Sequence, residues 1–185
     1  MRVAVHWRPF KLIARRASLA GLMCVCHAVA LAKPVMWEGW VSWVLDGDTI
    51  TVLPQGQASP VRVRLDGIDA PESCQPGGEQ ARDVLIGWIL RQPVQLKVWR
   101  EDTYGRWIAT VYRDGEDINA RLVQQGWAWA YSFRVGRGPY ATAQRRAQES
   151  KLGLFALPGQ AMSPPVFRRF HGSCHAEPKD SGWVR

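Results

Sequence analysis

Between Trp37 and Tyr112 the chain holds five short runs of strand-like sequence, broken once by a run of helical period. The strand-like runs are 37–45, 48–53, 61–65, 94–99 and 107–112. In Val61-Arg62-Val63-Arg64-Leu65 the three apolar residues fall on one face and both arginines on the other, as a strand with one buried face requires. Residues 54–59, Asp102-Thr103-Tyr104-Gly105 and Asp114-Gly115 are turn sequences between such runs. The helical run spans 79–91, where Ala81, Val84, Leu85, Trp88 and Ile89 recur at steps of three and four. Two more helices are predicted, at 118–125 closed by Gly126 and at 139–151 ended by Gly153. Short strands with one helix between the third and fourth suit a small closed barrel with helices packed outside it. Most of the tryptophans at 37, 40, 43, 88, 99, 107, 127 and 129 are expected in the core or at the barrel rim, with Trp127 or Trp129 extending a groove. From Leu157 onward Pro158, Gly159, Pro164 and Pro165 predict an irregular tail. The reading is therefore one domain at 37–157 and a Pro-rich tail at 158–185.

Residues 1–32 have a different character. Arg2, Arg8, Lys11, Arg15 and Arg16 come first with no acid among them, followed by a short apolar stretch that ends in Ala30-Leu31-Ala32. That is the layout of a secretory signal peptide with a small-x-small cleavage site, the alternative being an uncleaved anchor. The apolar stretch, interrupted by His27, falls short of the roughly 20 residues a membrane span needs. Cleavage after Ala32 lowers the net charge from +8 to +3. What remains is uneven: residues 38–117 sum to −5 and residues 118–185 to +7. The acidic half can hold a cation and the basic half can receive a polyanion. Arg134, Arg137, Arg145, Arg146, Arg168 and Arg169 in the basic half are read as a solvated face.

Histidine narrows the chemistry. His6, His27, His171 and His175 lie near the two ends, and the body of the chain has none. Serine-hydrolase triads and His-rich zinc sites therefore lack their central residue, and hydrolysis in the body must run on carboxylates, arginines or an oxygen-held metal. Removal of residues 1–32 leaves two cysteines, Cys74 and Cys174. In an oxidising compartment they read as one possible disulfide, and two free thiols remain the alternative. A closed loop of that length contributes about 4–5 kcal/mol on the chain-entropy account.

Three polar clusters stand in order: Asp46-Gly47-Asp48-Thr49, then Arg64-Leu65-Asp66-Gly67-Ile68-Asp69-Ala70-Pro71-Glu72, then Tyr104-Gly105-Arg106. Each alone reads as a turn or loop. Together, with a helix between the second and third, they resemble the staphylococcal nuclease (thermonuclease) family. The resemblance runs from Val41 to Phe155 and includes Asn119-Ala120-Arg121-Leu122-Val123-Gln124-Gln125-Gly126 and Ala147 to Phe155. It implies an α+β, mainly β fold: a five-stranded oligonucleotide-binding (OB) barrel with three packed helices. It also implies a calcium-dependent endonuclease that hydrolyses DNA and RNA and leaves 3′-phosphates. By the same resemblance, Ca2+ is ligated by Asp48, Asp69 and the backbone carbonyl of Ala70, and catalysis falls to Arg64, Glu72 and Arg106. Tyr104, Tyr131 and Phe133 match substrate-binding positions.

The residue types agree with those roles. Calcium takes 6–8 oxygen ligands, so two carboxylates and a carbonyl leave room for water and phosphate. Glu72 is the candidate general base, and the arginines offer forked donors to phosphate oxygens. Some positions depart from the family: Ala70 stands where Thr is common, Thr103 replaces a lysine, and the loop 73–78 is short and lacks the family's lysines. Fewer lysines imply weaker, more salt-sensitive substrate binding. The competing reading is an OB module that binds nucleic acid without turnover, against which stands the complete Asp48, Arg64, Asp69, Glu72 and Arg106 set. The expected protein is a periplasmic or secreted monomer without stable membrane association once its signal is removed. Amino-terminal sequencing of the exported protein should begin at Lys33; a start at Met1 would contradict the export reading.

Overall fold

The computed structural model describes residues 33–131, 138–156, 161–172 and Cys174. The expected signal segment 1–32 and Phe133 lie outside the described residues. The described residues form one compact unit. The elements are β1 (Val35–Val44), β2 (Thr49–Pro54), β3 (Val61–Leu65), β4 (Ile68–Asp69), α1 (Gly78–Ile89), β5 (Pro93–Glu101), β6 (Trp107–Arg113), β7 (Glu116–Asp117), α2 (Ile118–Gln124), β8 (Trp129–Ala130), α3 (Ala141–Glu149) and α4 (Pro164–His171). A short 3-10 turn at Gly153–Ala156 follows α3.

The main sheet runs β3-β2-β1-β5-β6-β7, and a further β3–β6 pairing closes its five long strands into a barrel. Every neighbour is antiparallel except β3 and β6, which run parallel. β1 serves two partners. Its first half pairs with β5 and its second half with β2, Gly39 and Trp40 pairing on both sides. Register shifts at Val41/Trp43 in β1 and at Val98/Arg100 in β5 mark the bulges that bend the strands enough for closure. A second, two-stranded sheet joins β4 to β8. The OB-type α+β fold expected from the sequence is the fold found.

Alternation fills the barrel. Val63 and Leu65 of β3, Ile50 and Val52 of β2, Leu96 and Val98 of β5, and Ala109 and Val111 of β6 all point inward. One face of α1 closes the core with Ala81, Leu85 and Ile89, and α2 adds Ile118, Leu122 and Val123. Burial of a Leu, Ile or Val side chain contributes about 1.5–3 kcal/mol, so this shared core carries the fold. Asn119 is fully buried and knits the polar backbone around it. Its Oδ1 accepts from the Val111 amide at 3.1 Å, and its Nδ2 donates to the carbonyls of Asp66 (2.9 Å) and Ala109 (3.2 Å). Asp117 caps α2 by accepting from the Ala120 amide at 2.9 Å and accepts from the Tyr140 hydroxyl at 3.0 Å, which ties α2 to the segment entering α3. Burial and the nearby Asp117 carboxylate push the Tyr140 phenol well up, so it stays a donor.

Most of the tryptophans pack as expected, with three exceptions, and the tail departs from expectation. Trp40, Trp43 and Trp99 are exposed, whereas Trp129 is buried and Trp37, Trp88, Trp107 and Trp127 are half-buried. Trp43 faces outward beside the bulge, and its ring lies 5.8 Å from the Arg82 guanidinium; Trp99 lies under Lys97 at 4.8 Å. The tail is not irregular throughout. Pro164 and Pro165 stand at the first positions of α4 behind Ser163, where a missing amide costs nothing and the fixed φ favours the helix. Among the described residues no helix is long and apolar enough to cross a membrane. Asn119→Ala should destabilise the protein by roughly 2–3 kcal/mol in urea unfolding, because it leaves the buried Val111 amide without an acceptor.

Candidate active site

The site grows from the β1–β2 turn. Gly47 lies so close to its neighbours that an added Cβ would stand 2.6 Å from the Ala70 methyl and 3.0 Å from that of Ala81. Only glycine lets this turn press against both the Asp69–Ala70 segment and α1. The Asp46 carboxylate accepts from the Asp48 amide at 2.9 Å and fixes the turn. Asp48 is then buried at 4% exposure. Its Oδ2 accepts from the Ala70 amide at 2.7 Å and its Oδ1 from the Thr49 hydroxyl at 3.1 Å. Asp69 ends β4 and is 2% exposed.

Arg64 occupies the outer face of β3, as the alternation requires, and reaches both carboxylates. Its Nη1 pairs with Asp48 Oδ1, and its Nη2 donates to Asp69 Oδ1 at 2.9 Å and to the Ile68 carbonyl at 3.2 Å. One guanidinium therefore spans two buried carboxylates, which pairs charges that could not otherwise remain ionised away from water.

Glu72 sits on the loop before α1, with its backbone held from both sides. Its carbonyl accepts from the Gln75 amide at 2.8 Å, and its amide donates to the Gln75 side-chain oxygen at 3.3 Å. Gln75 is itself buried and donates to the Met162 carbonyl at 2.6 Å. A Cβ at Gly78 would run into the Glu72 carbonyl, so this first residue of α1 must lack a side chain. Cys74 on the same loop forms a disulfide with Cys174, with Cα atoms 5.8 Å apart.

One arginine expected on a solvated face meets the site instead. Arg168 of α4 donates from Nη1 to Glu72 Oε1 at 2.8 Å and from Nη2 to Asp69 Oδ2 at 2.8 Å, with a further Nη1 contact to Asp69 Oδ1 at 3.3 Å. Hydrogen bonding to Asp69 pushes the Arg168 guanidinium well above its ordinary value despite burial, and Glu72 adds to the effect. The spacing carried a signal: Cys174 lies six residues after Arg168 and Cys74 two after Glu72.

Asp48, Arg64, Asp69, Ala70 and Glu72 thus share one neighbourhood. Arg106 stands at its side, on the β5–β6 hairpin, where Asp102 engages it. Its amide donates to Asp102 Oδ1 at 3.0 Å, and its Nε and Nη2 each lie 2.9 Å from Oδ2. The next residue, Trp107, pairs with Val63 beside Arg64, so barrel closure draws the hairpin toward β3. Tyr104 is exposed, with its ring 5.4 Å from the Arg106 guanidinium carbon. Tyr131 is also exposed, and its amide donates to the Gly67 carbonyl at 2.8 Å, next to the turn that leads to Asp69. Asp66 in that turn is pushed up by burial, an effect partly offset by the Gly67 amide and by Arg100 and Arg64. Trp129 packs edge-on against Phe155 at 5.4 Å, which makes it a packing residue.

Among the described residues no three His, Cys, Asp or Glu side chains form a ready-made metal cluster. The donor chemistry still fits a hard cation: Asp48 and Asp69 are oxygen donors, and their buried negative charge is balanced here by arginines. A cleft of about 320 Å³ elsewhere on the barrel is lined by Glu38, Gln95, Tyr112 and Asp114 among others, and by none of these site residues.

The family described as Staphylococcal nuclease homologue matches residues 62–156. Micrococcal nuclease of Shigella flexneri is 39% identical over 170 residues, covering 83% of this chain and 95% of that protein. Protein ParB of Escherichia coli is 38% identical over 173 residues, covering 88% and 93%. An uncharacterized endonuclease of Haemophilus influenzae is 37% identical over 158 residues, covering 85% and 88%.

The Asp102–Arg106 contact makes a pH prediction. Burial raises the Asp102 carboxyl, but hydrogen bonds from the Arg106 amide and side chain and the Tyr104 amide outweigh it and hold the group below its ordinary 3.8. The stabilisation is then complete above that value and is lost as pH falls through the lower folded value. The Arg106 Nε–H resonance should follow this acid titration in wild type and stay flat in Asp102→Asn.

Proposed function

The chain belongs to the staphylococcal nuclease homologue family, and from that premise we propose an exported, calcium-dependent endonuclease that cleaves phosphodiester bonds of DNA and RNA and leaves 3′-phosphates. As a member of that family it is a nuclease-type hydrolase. The observation that carries the finer reading is the juxtaposition of two buried carboxylates, Asp48 and Asp69, on one guanidinium, Arg64, with Glu72 on the adjoining loop. This arrangement suits a phosphate ester and a cation, and offers little to a neutral substrate.

In this reading Asp48, Asp69 and the Ala70 carbonyl hold calcium. Bound there, the ion supplies Lewis-acid polarisation of the phosphoryl group and a site that orients water. Glu72 takes a proton from the attacking water, the task that falls to a carboxylate where the barrel has no histidine. The tight loop around Gln75 and Gly78 limits how far that carboxylate can wander. Arg64 presents its fork to the phosphate oxygens where charge grows, and Arg106 does so from the hairpin side, with Asp102 keeping its guanidinium oriented. Tyr104 and Tyr131 offer exposed ring faces on which bases can stack without sequence preference.

Export is part of the proposal. The amino-terminal segment supports it, and the Cys74–Cys174 disulfide suits an oxidising compartment, the periplasm or the medium. The protein works there as a monomer.

The test is a nuclease assay on purified residues 33–185 with millimolar calcium and with excess chelator. Cleavage of DNA and RNA in calcium alone is expected; binding without cleavage, or cleavage indifferent to chelator, would overturn the reading. Glu72→Gln and Arg64→Lys should each lower kcat by roughly 10²–10⁴-fold while KM changes little.

A further inference from the structure

Helix α4 lies outside the barrel, yet it sends a cation into the centre of the site. We propose that Arg168 is a third active-site arginine: a tethered counter-cation that holds Asp69 and Glu72 while the site lacks metal and gives up Asp69 when a divalent cation is ligated. The helix and the Cys74–Cys174 disulfide thereby set the affinity of the site for its metal. This inference rests on the metal reading of Asp48 and Asp69 given above.

Charge balance is the first argument. Asp48, Asp69 and Glu72 bring three negative charges into a small, largely buried space, their side chains only 6%, 3% and 13% exposed. Arg64 neutralises one of them. A divalent cation would neutralise the other two, whereas Arg168 supplies only a single positive charge. With metal and both arginines present the cluster would carry an excess positive charge, and like charges at such range repel strongly in a partly desolvated site. The site therefore has room for the metal or for Arg168 on Asp69, but holds both only at a cost.

Geometry is the second. Arg168 spans both oxygens of Asp69, one of which already accepts from Arg64. A cation ligand must offer a lone pair at about 2.3–2.6 Å with open space beyond it. The space in front of Asp69 is where the Arg168 guanidinium lies, so Arg168 must withdraw for Asp69 to act as a ligand.

Tethering is the third, and it separates Arg168 from an ordinary surface arginine. Phe167 and Pro164 are buried and seat α4 on the body of the protein. Before the helix, the Met162 carbonyl accepts from Gln75; after it, Cys174 is bonded to Cys74. Both anchors end on the loop that carries Glu72. The loop and α4 are thus bound to each other at two points, and Arg168 is presented to the carboxylates at high effective concentration. Its three hydrogen bonds to Asp69 and Glu72 occupy most of the fork.

Calcium titration by isothermal calorimetry tests this without recourse to turnover. Arg168→Ala should bind calcium about tenfold more tightly than wild type, equivalent to ~1.4 kcal/mol. Arg168→Lys, which keeps the charge but loses the fork, should fall between the two. Cys74→Ser/Cys174→Ser, which frees the end of α4, should shift affinity the same way by a smaller factor. In thermal melts, calcium should raise the Tm of Arg168→Ala by more than it raises that of wild type. Unchanged or weaker calcium binding by Arg168→Ala and Arg168→Lys would overturn the inference, as would a loss confined to binding of a nucleotide inhibitor, which would make Arg168 a phosphate ligand instead. An unchanged affinity in the double serine variant would overturn the role of the disulfide. Were wild type and both Arg168 variants all to bind no calcium, the metal reading itself would fall and take this inference with it.

Discussion

The parallel pairing of β3 with β6 is the contact on which both fold and site depend. Without it the antiparallel sheet would end at β3, with an open edge and Val63 and Leu65 facing water. With it, the inner faces of five strands enclose one core that α1 and α2 cap. The same pairing sets Arg64 on the outside of β3 beside the strand that begins one residue after Arg106. Barrel closure therefore brings together two arginines that are 42 residues apart in the chain.

Around Arg64 the governing constraint is electrostatic. Asp48 and Asp69 are buried in places where an unpaired carboxylate could not remain charged. Hydrogen bonds from the Ala70 amide and the Thr49 hydroxyl satisfy Asp48 in part, and the arginine fork completes the pairing for both. Such a cluster is stable only while its charge is balanced. That requirement explains why a side chain from a remote helix is drawn onto these carboxylates. The Glu72 loop is drawn into the same balance through Arg168, so Glu72, the two buried aspartates and the carboxyl-terminal helix are one coupled unit.

Much of this was legible in the residues. Alternation in Val61–Leu65 foretold which side of β3 carries Arg64, because side chains on a strand must alternate. The 3.6-residue period of Ala81, Leu85 and Ile89 foretold the face of α1 that meets the barrel. Other features escaped for identifiable reasons. The bulge at Val41/Trp43 adds a residue to β1, so Ser42 and Trp43 both face outward, and an aromatic that alternation places inside is exposed. Prolines read as helix breakers, but at the first turn of α4 they favour the helix. β4 and β8 are two residues each, too short for any periodicity to register.

The chain itself determined the ingredients: a barrel-forming pattern of strands, two carboxylates and a glutamate without histidine, and an arginine set able to fork onto phosphate. Those follow from local sterics and from side-chain chemistry, which neighbours in sequence are enough to specify. Only the tertiary structure decided which charges meet. Arg168 lies 99 residues from Asp69 and 96 from Glu72, and its nearness to Cys174 is shared by Arg169 beside it. It became part of the site because a disulfide and a buried glutamine fasten its helix to the Glu72 loop, and because buried carboxylates attract whatever cation the fold brings within reach.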